Sequence, residues 1–293
     1  MKRVTVLSQW AAFALTCFGQ AINSGNDVVV NSTTTNNQQN PAVAVDSATG
    51  TYFVVWESLS ASGDYNIYGR TLNDTGAVLG TDFLIGNQTN GRFPDIAENA
   101  TGEVVIVWAN VGADGDGSGI FGRLASANGT LGTAFSVSTT TANNQITPSV
   151  GISASGSFVV VWASENQDGD NFGIYGQRFS ATGTKVGTEF LVNSSTTGYQ
   201  GYPDIAVHND GSFIVVWQSS GTDGSGNGIY GQRFTASATA VGSEILVNAT
   251  TTGNQQEPSV AIQDNGSFGI TWSSYAQDNS EYGVYASFYD SLG

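Results

Sequence analysis

Aspartates at alternate positions in glycine-rich stretches are the sharpest chemical signal in this sequence. Asp114, Asp116 and Ser118 stand at the first, third and fifth positions before a glycine, which is how the oxygen ligands of a calcium-binding loop begin. Other stretches repeat part of this spacing through Asp168, Asp170, Asp223, Ser225 and Asn227. No carboxylate follows at the distance that completes an EF-hand, and Asp and Gly also favour plain turns. Calcium is therefore the one cofactor to consider, and a structural hairpin loop is the alternative.

Glutamines recur at a second position that could contact a ligand. Each stands three residues before a proline, and the set is Gln38, Gln145, Gln200 and Gln255. Such a side chain either bonds the backbone between repeats or makes a repeated polar contact with a ligand. Tyr199 and Tyr202 lie beside one of these glutamines and offer an apolar plane for a sugar ring. This combination predicts binding of neutral glycans.

Catalytic groups are harder to find. Glycoside hydrolysis needs two carboxylates that face each other across a cleft, and Asp95, Glu98 and Asp204 on predicted inner strands could supply them. The single histidine, His208, falls in a short turn, which disfavours a Ser-His-Asp triad. The prediction from the sequence is that the protein is not an enzyme.

All of these residues belong to a unit that recurs five times. Its marker tryptophans are spaced 52, 54, 55 and 55 residues apart, at Trp56, Trp108, Trp162, Trp217 and Trp272. Each unit contains four short apolar segments separated by Gly, Asn, Asp and Ser, which are strand and turn signals. Self-similarity at a fixed period indicates a repeat architecture in which each unit packs on its neighbours.

Four strands in about 50 residues predict one blade of a β-propeller. We therefore expect an all-β, five-bladed β-propeller with four-stranded antiparallel blades, formed by a single domain over residues 22–293. The predicted repeats are 27–81, 82–133, 134–188, 189–243 and 244–293. The last repeat lacks its fourth strand, whereas Val28–Val30 resembles the fourth strand of the other repeats. The ring is thus expected to close by the N-terminal strand pairing into the last blade, which would remove an open sheet edge.

The segment DGSGNGIYGQRF, followed by GSEILVN and NQQEPSVA, resembles the tandem repeats of large secreted bacterial proteins of the RTX and adhesin type. Five-bladed closure is similar to the tachylectin class of sugar-binding propellers. The first resemblance implies an exported repeat protein, and the second concerns architecture only.

The N-terminus and the charge bear on location and partners. A basic start, an apolar run and small residues before position 22 indicate a signal peptide over residues 1–21, hence a secreted protein with no membrane span in the mature chain. The net charge of −16 argues against nucleic acid or anionic membrane as a partner. Glycosylation sequons, meaningful in a eukaryotic source and incidental in a bacterial one, begin at Asn31, Asn73, Asn87, Asn99, Asn128, Asn193, Asn248 and Asn265.

These observations favour a secreted or cell-surface, non-catalytic module that binds glycans at several sites. One alternative is an adhesive scaffold or filament subunit that self-associates or binds extracellular proteins. A second alternative is a glycosidase-like enzyme that uses the inner-strand carboxylates.

Overall fold

The computed structural model describes residues 27–46, 49–86, 90–126 and 128–293. The predicted leader, residues 1–21, and Asn87 lie outside the described residues. The described part of the chain contains nineteen β-strands and no helix. No helix that could cross a membrane is therefore found in these residues.

The strands form five antiparallel sheets, and each sheet follows chain order from its inner to its outer strand. The first blade contains β1 (Gln38–Asp46), β2 (Thr51–Leu59), β3 (Tyr65–Leu72) and β4 (Val78–Leu84). The second contains β5 (Gly91–Glu98), β6 (Glu103–Val111), β7 (Ser118–Ser126) and β8 (Leu131–Ser136). The third contains β9 (Gln145–Ile152), β10 (Phe158–Glu165), β11 (Phe172–Phe179) and β12 (Lys185–Leu191). The fourth contains β13 (Gln200–Val207), β14 (Phe213–Ser220), β15 (Asn227–Phe234) and β16 (Ala240–Leu246), and the fifth contains β17 (Gln255–Ile262), β18 (Phe268–Tyr275) and β19 (Tyr282–Tyr289). The predicted all-β, five-bladed propeller is confirmed.

The core lies between neighbouring blades rather than at the centre. All five repeated tryptophans are buried, as the sequence predicts, at Trp56, Trp108, Trp162, Trp217 and Trp272. Trp162 of the third blade packs with Val105 and Val107 of the second. Trp217 of the fourth blade packs in the same way with Val159 and Val161 of the third. Because β10 is apolar at successive positions, it can bury one face against each neighbouring blade.

The inner strands β1, β5, β9, β13 and β17 pack side by side around an axis. Their approach is close: a Cβ added to Gly151 on β9 would lie 2.5 Å from Cγ2 of Val207 on β13. A small residue at this position is thus a packing requirement of the ring, since real Cβ atoms do not approach other atoms so closely.

The predicted closure of the ring is not observed. Among the described residues, the fifth sheet has three strands, and Val28–Val30 belongs to no strand. The N-terminal segment lies on the first blade instead, where the carbonyl oxygen of Val30 accepts a hydrogen bond from Nη1 of Arg70 at 2.7 Å. Ile85 makes the equivalent contact with Arg123 at 2.6 Å. The segment therefore contacts the first blade as the end of the first blade contacts the second, but it does not pair with β19.

Two apolar sheet faces are open in the described part of the chain. On β1, Val43 and Val45 are exposed, while the alternate alanines pack towards the second blade. On β19, Val284 and Phe288 are 82% and 84% exposed. A β-strand presents alternate residues to opposite faces, so these side chains mark the sides of the first and fifth blades that no neighbouring blade covers.

Candidate functional site

A pocket of about 480 Å³ lies on the propeller axis, and all five blades line it. Each inner strand contributes three successive residues, of which the middle one is Pro41, Pro94, Pro148, Pro203 or Pro258. Each proline is the fourth residue of its inner strand, near the loop that enters the blade. The pocket therefore opens on the face that carries these loops.

The residue before each proline forms the rim of the pocket. All five have a left-handed backbone, with φ of 50° at Asn40, 52° at Phe93, 48° at Thr147, 51° at Tyr202 and 55° at Glu257. In every blade, the pairing register between the inner strand and the next strand shifts across this residue and the proline. Bulges of this kind redirect side chains, and a left-handed conformation is unusual for aromatic and β-branched residues. Five different side chains thus stand on one repeated, strained backbone around the opening.

The residue after each proline also lines the pocket, and here two blades supply carboxylates. The Oγ of Ser149 lies 3.0 Å from Oδ2 of Asp95 and 3.1 Å from Oδ1 of Asp204. These two carboxylate oxygens are therefore no more than about 6 Å apart, close to the spacing of a glycosidase pair. A serine hydroxyl has a single hydrogen to donate, so both contacts are hydrogen bonds only when one of the carboxyls is protonated.

The two carboxyls have different surroundings. Oδ2 of Asp204 accepts hydrogen bonds from Ser259 Oγ at 3.0 Å and from the backbone N–H of Val260 at 2.7 Å, and its Oδ1 accepts from Ile205 N–H at 3.0 Å. Asp95 accepts from Val150 N–H at 2.8 Å. Because hydrogen bonds to a carboxylate favour its charged form, Asp204 is the better suited of the two to remain ionised.

Burial raises the pKa of Asp95 to about 6, and the negative charge of Asp204 adds to this rise, while hydrogen bonds from its neighbours oppose it. Burial also raises the pKa of Asp204, against the hydrogen bonds that it accepts. A carboxyl that keeps its proton at mildly acidic pH, beside a second carboxyl that accepts more hydrogen bonds, is an arrangement that general acid–base catalysis can use.

Glu98, the third carboxyl considered from the sequence, is not brought into this pair. It does not line the axial pocket. Burial and the nearby charge of Asp46 raise the pKa of Glu98 to about 7, and its two carboxyl oxygens find no hydrogen-bond partner among the described residues.

Glu57 is a site residue that the sequence reading missed. Its fully buried side chain accepts hydrogen bonds from Asn40 Nδ2 at 2.8 Å, from Phe93 N–H at 2.6 Å and from Arg92 Nε at 3.1 Å, where it also forms an ion pair. These bonds fix two rim residues of neighbouring blades. Glu57 could have been found because it follows the repeated tryptophan and is the one carboxylate at that position. The equivalent residues of the other repeats are Ala109, Ala163, Gln218 and Ser273.

The glutamines proposed as ligand contacts are structural, which corrects that expectation. Gln145, Gln200 and Gln255 are fully buried, and Gln38 is half-buried. Each donates a hydrogen bond through Nε2 to the carbonyl oxygen three residues earlier, as Gln200 does to Thr197 at 2.9 Å. They shape the loops that enter the blades and present no polar group to a ligand on the surface.

The two tyrosines differ from each other. Tyr202 is 47% exposed and lines the pocket rim. Tyr199 is half-buried, with its ring 5.6 Å from that of Phe172, and burial raises the pKa of Tyr199 to about 12. Only Tyr202 of this pair lies at the axial pocket.

The Asp-Gly loops connect neighbouring blades. Oδ2 of Asp116 accepts a hydrogen bond from Asn143 N–H at 3.2 Å, and Oδ2 of Asp170 accepts one from Gly198 N–H at 3.0 Å. Oγ of Ser225 takes the same role towards Gly253 at 3.3 Å. In the described part of the chain, no three His, Cys, Asp or Glu residues gather as a metal cluster. Calcium binding by these loops stays a prediction.

Three of the predicted glycosylation sites are buried, at Asn99, Asn193 and Asn248. The Oδ1 atoms of Asn193 and Asn248 accept backbone hydrogen bonds at 2.6 Å, so these side chains are part of the fold and the expectation is wrong for them. Asn128 and Asn265 are exposed, and Asn31 and Asn73 are half-buried.

Half-buried His208 and exposed Asp210 form a pair at 2.9 Å in the turn between β13 and β14, and neither residue lines the axial pocket. Hydrogen bonds to Asp264 and Asp210 raise the pKa of His208. The histidine takes no part in the axial site.

Comparisons place this fold among known propellers. No family model matches the chain, and no curated protein matches it. Solved structures do: a protein of unknown function from Dyadobacter fermentans is 12% identical, with a TM-score of 0.62 over 89% of this chain and 79% of that one. An endo-arabinase from Bacteroides thetaiotaomicron is 18% identical, with a TM-score of 0.53 over 90% and 97%. An α-L-arabinanase from Penicillium chrysogenum, complexed with arabinobiose, is 15% identical, with a TM-score of 0.55 over 86% and 76%.

These findings correct two expectations. The prediction of a non-catalytic module, and with it the statement that the protein is not an enzyme, is wrong, because arabinanases are among the structures that share this propeller. The expected resemblance to RTX and adhesin repeats is not confirmed, whereas the five-bladed architecture is.

Proposed function

We propose that this protein is a glycoside hydrolase that cleaves a neutral glycan in the axial pocket. The observation that carries the proposal is the Asp95–Ser149–Asp204 arrangement, in which one hydroxyl lies within hydrogen-bond distance of two carboxyls. Two carboxyls of unequal proton affinity at the bottom of a pocket are the groups that glycosidic bond cleavage requires.

In the proposed mechanism, Asp95 is the general acid that protonates the leaving glycosidic oxygen, because its pKa of about 6 keeps it protonated in mildly acidic solution. Asp204 faces the sugar carbon as a carboxylate. The Asp95 and Asp204 oxygens are at most about 6 Å apart, whereas inverting enzymes hold their carboxyls ~6.5–9.5 Å apart to accommodate a water. The shorter distance favours direct attack by Asp204 on the sugar. Water then hydrolyses the glycosyl-enzyme intermediate, with Asp95 accepting the proton of that water.

The substrate class follows from charge and from the structural neighbours. A chain of net charge −16 repels polyanions, which leaves neutral polysaccharides. Two propellers of this fold are arabinanases, so we propose arabinan and related pentose polymers as the first substrates to test. Such polymers are extracellular, in line with the export that we propose for residues 1–21.

The test is hydrolysis of neutral polysaccharides, arabinan first, measured by reducing-sugar release. Asp95→Asn and Asp204→Asn should each lower kcat by at least about 100-fold, the usual contribution of an acid or base group. Asp264→Asn is the matched control, because this exposed aspartate lies in a turn outside the axial pocket. Activity that survives both axial substitutions would overturn the assignment.

A further inference from the structure

Aromatic rim residues and buried carboxylates occur in the same two blades. The three residues at the pocket are Phe-Pro-Asp (93–95) in the second blade and Tyr-Pro-Asp (202–204) in the fourth. The remaining blades have Asn-Pro-Ala (40–42), Thr-Pro-Ser (147–149) and Glu-Pro-Ser (257–259). Each carboxyl of the pair thus has an aromatic ring two residues before it, and no other blade has an aromatic residue before the proline or a carboxyl after it.

We infer that Phe93 and Tyr202 are the specificity-determining residues of this site, each forming the apolar platform of one sugar subsite. This inference rests on the proposed glycosidase function and specifies its substrate as a glycan of at least two sugar units. One unit stacks at the second blade and one at the fourth. The bond between them lies over the third blade, above Ser149, within reach of both carboxyls.

The two rings stand on opposite sides of Thr147, because the third blade separates the second from the fourth. Thr147 is the smallest side chain among the five rim residues. A low rim between two aromatic planes leaves room for a chain to cross the opening. Sugar rings present apolar C–H faces, so an aromatic surface next to polar groups is a suitable contact for them.

The Phe93 platform is held in place before any ligand arrives. The backbone N–H of Phe93 bonds Glu57 at 2.6 Å, and the Arg92 guanidinium lies 5.3 Å from the Phe93 ring centroid. Glu57 and Arg92 in turn form an ion pair at 3.1 Å. Tyr202 leaves almost half of its surface open to solvent. Left-handed conformations of such residues are kept only where the surrounding structure imposes them, and they cluster at binding sites.

The variants that test the inference are Phe93→Asn and Tyr202→Asn. Asn40 occupies the same left-handed position in the first blade, so asparagine removes the ring and keeps the backbone. Tyr202→Phe keeps the ring and serves as the conservative control. Tyr275→Ala is the control for a general loss of surface aromatics, since Tyr275 is 46% exposed at the end of β18 but does not line the pocket.

Two measurements are needed on each variant: calorimetric binding of arabinobiose and longer arabino-oligosaccharides to the Asp204→Asn protein, and hydrolysis by the protein with Asp204 intact. We expect Phe93→Asn and Tyr202→Asn each to weaken oligosaccharide binding at least about tenfold and to raise KM more than they lower kcat. Tyr202→Phe and Tyr275→Ala should change neither the oligosaccharide affinity nor KM.

The outcomes separate the two proposals. Hydrolysis with an unchanged KM in both asparagine variants would overturn the subsites and leave the glycosidase function standing. Binding that is lost on Tyr202→Asn, in a protein that hydrolyses nothing, would support the subsites and overturn the catalytic assignment. A wild-type protein that neither binds nor cleaves these sugars would overturn both.

Discussion

Ser149 on the third blade places its Oγ 3.1 Å from Oδ1 of Asp204 on the fourth. The same oxygen lies 3.0 Å from Asp95 on the second blade, so three blades converge on one hydroxyl. The contact exists because the residue after the proline has the same position in every blade. Residues that are 54 and 55 positions apart in the sequence thus come within hydrogen-bond distance of each other.

The first prediction concerns pH. Asp95 acts as an acid only while protonated, and burial raises its pKa to about 6, so kcat/KM should fall as the pH rises through about 6. The same shift links pH to stability: the folded protein holds the proton more tightly than the unfolded chain, so this group's stabilisation is complete below about pH 3.8 and is lost as pH rises through about 6.

A pH–rate profile checks this prediction, together with melting temperatures at pH 4 to 8. Asp95→Asn should abolish the basic limb of the rate profile and flatten the pH dependence of the melting temperature relative to Asp264→Asn. A basic limb that stays near pH 6 in Asp95→Asn would assign the proton to another group.

The second prediction concerns the core between blades. Trp162 is fully buried against the second blade, so Trp162→Ala should lower the free energy of unfolding by about 3–5 kcal/mol, the usual cost of emptying a large aromatic site. Tyr275→Ala on the surface, where the ring contacts Tyr282, should change it by no more than about 1.5 kcal/mol. Denaturant unfolding measures both values, and similar results for the two variants would contradict the burial of Trp162.

The third prediction concerns the distance between inner strands. The Cβ added by Gly151→Ala would lie 2.5 Å from Cγ2 of Val207. This overpacking should lower the free energy of unfolding by about 1–3 kcal/mol. Gly231→Ala is the matched control, because its nearest neighbour would be Cγ1 of Val216 at 3.5 Å, an ordinary contact. Equal unfolding free energies for the two proteins would show that the third and fourth blades lie farther apart.

The fourth prediction concerns the fifth blade. The outer edge of β19 has no partner strand among the described residues, whereas the equivalent strand β15 pairs with β16. Amides on that edge of β19 should therefore exchange with solvent faster than those of β15, since unpaired edges open at low free energy. Hydrogen exchange with mass spectrometry makes the comparison, and equal protection would mean that β19 has an outer partner, as the similarity of Val28–Val30 to a fourth strand suggests.

The sequence alone determined the fold. A tryptophan repeat of 52 to 55 residues and four apolar segments per repeat specify the blade, because these signals are local and depend on short-range periodicity. The burial of Trp162 and the need for a small residue at Gly151 follow from the same pattern. The tripeptides Phe-Pro-Asp and Tyr-Pro-Asp were also visible, but nothing in a linear sequence says that residues 95, 149 and 204 meet.

Only the tertiary structure decided which repeated residues face a ligand. Gln200 and Tyr202 are two positions apart, yet the first is fully buried and the second lines the pocket, because a left-handed bulge before each proline redirects the chain. The sequence likewise predicted that Val28–Val30 pairs with β19, since it resembles a fourth strand. Its contacts with Arg70 hold it on the first blade instead, and pairing across a ring depends on where distant blades lie, which strand similarity does not encode.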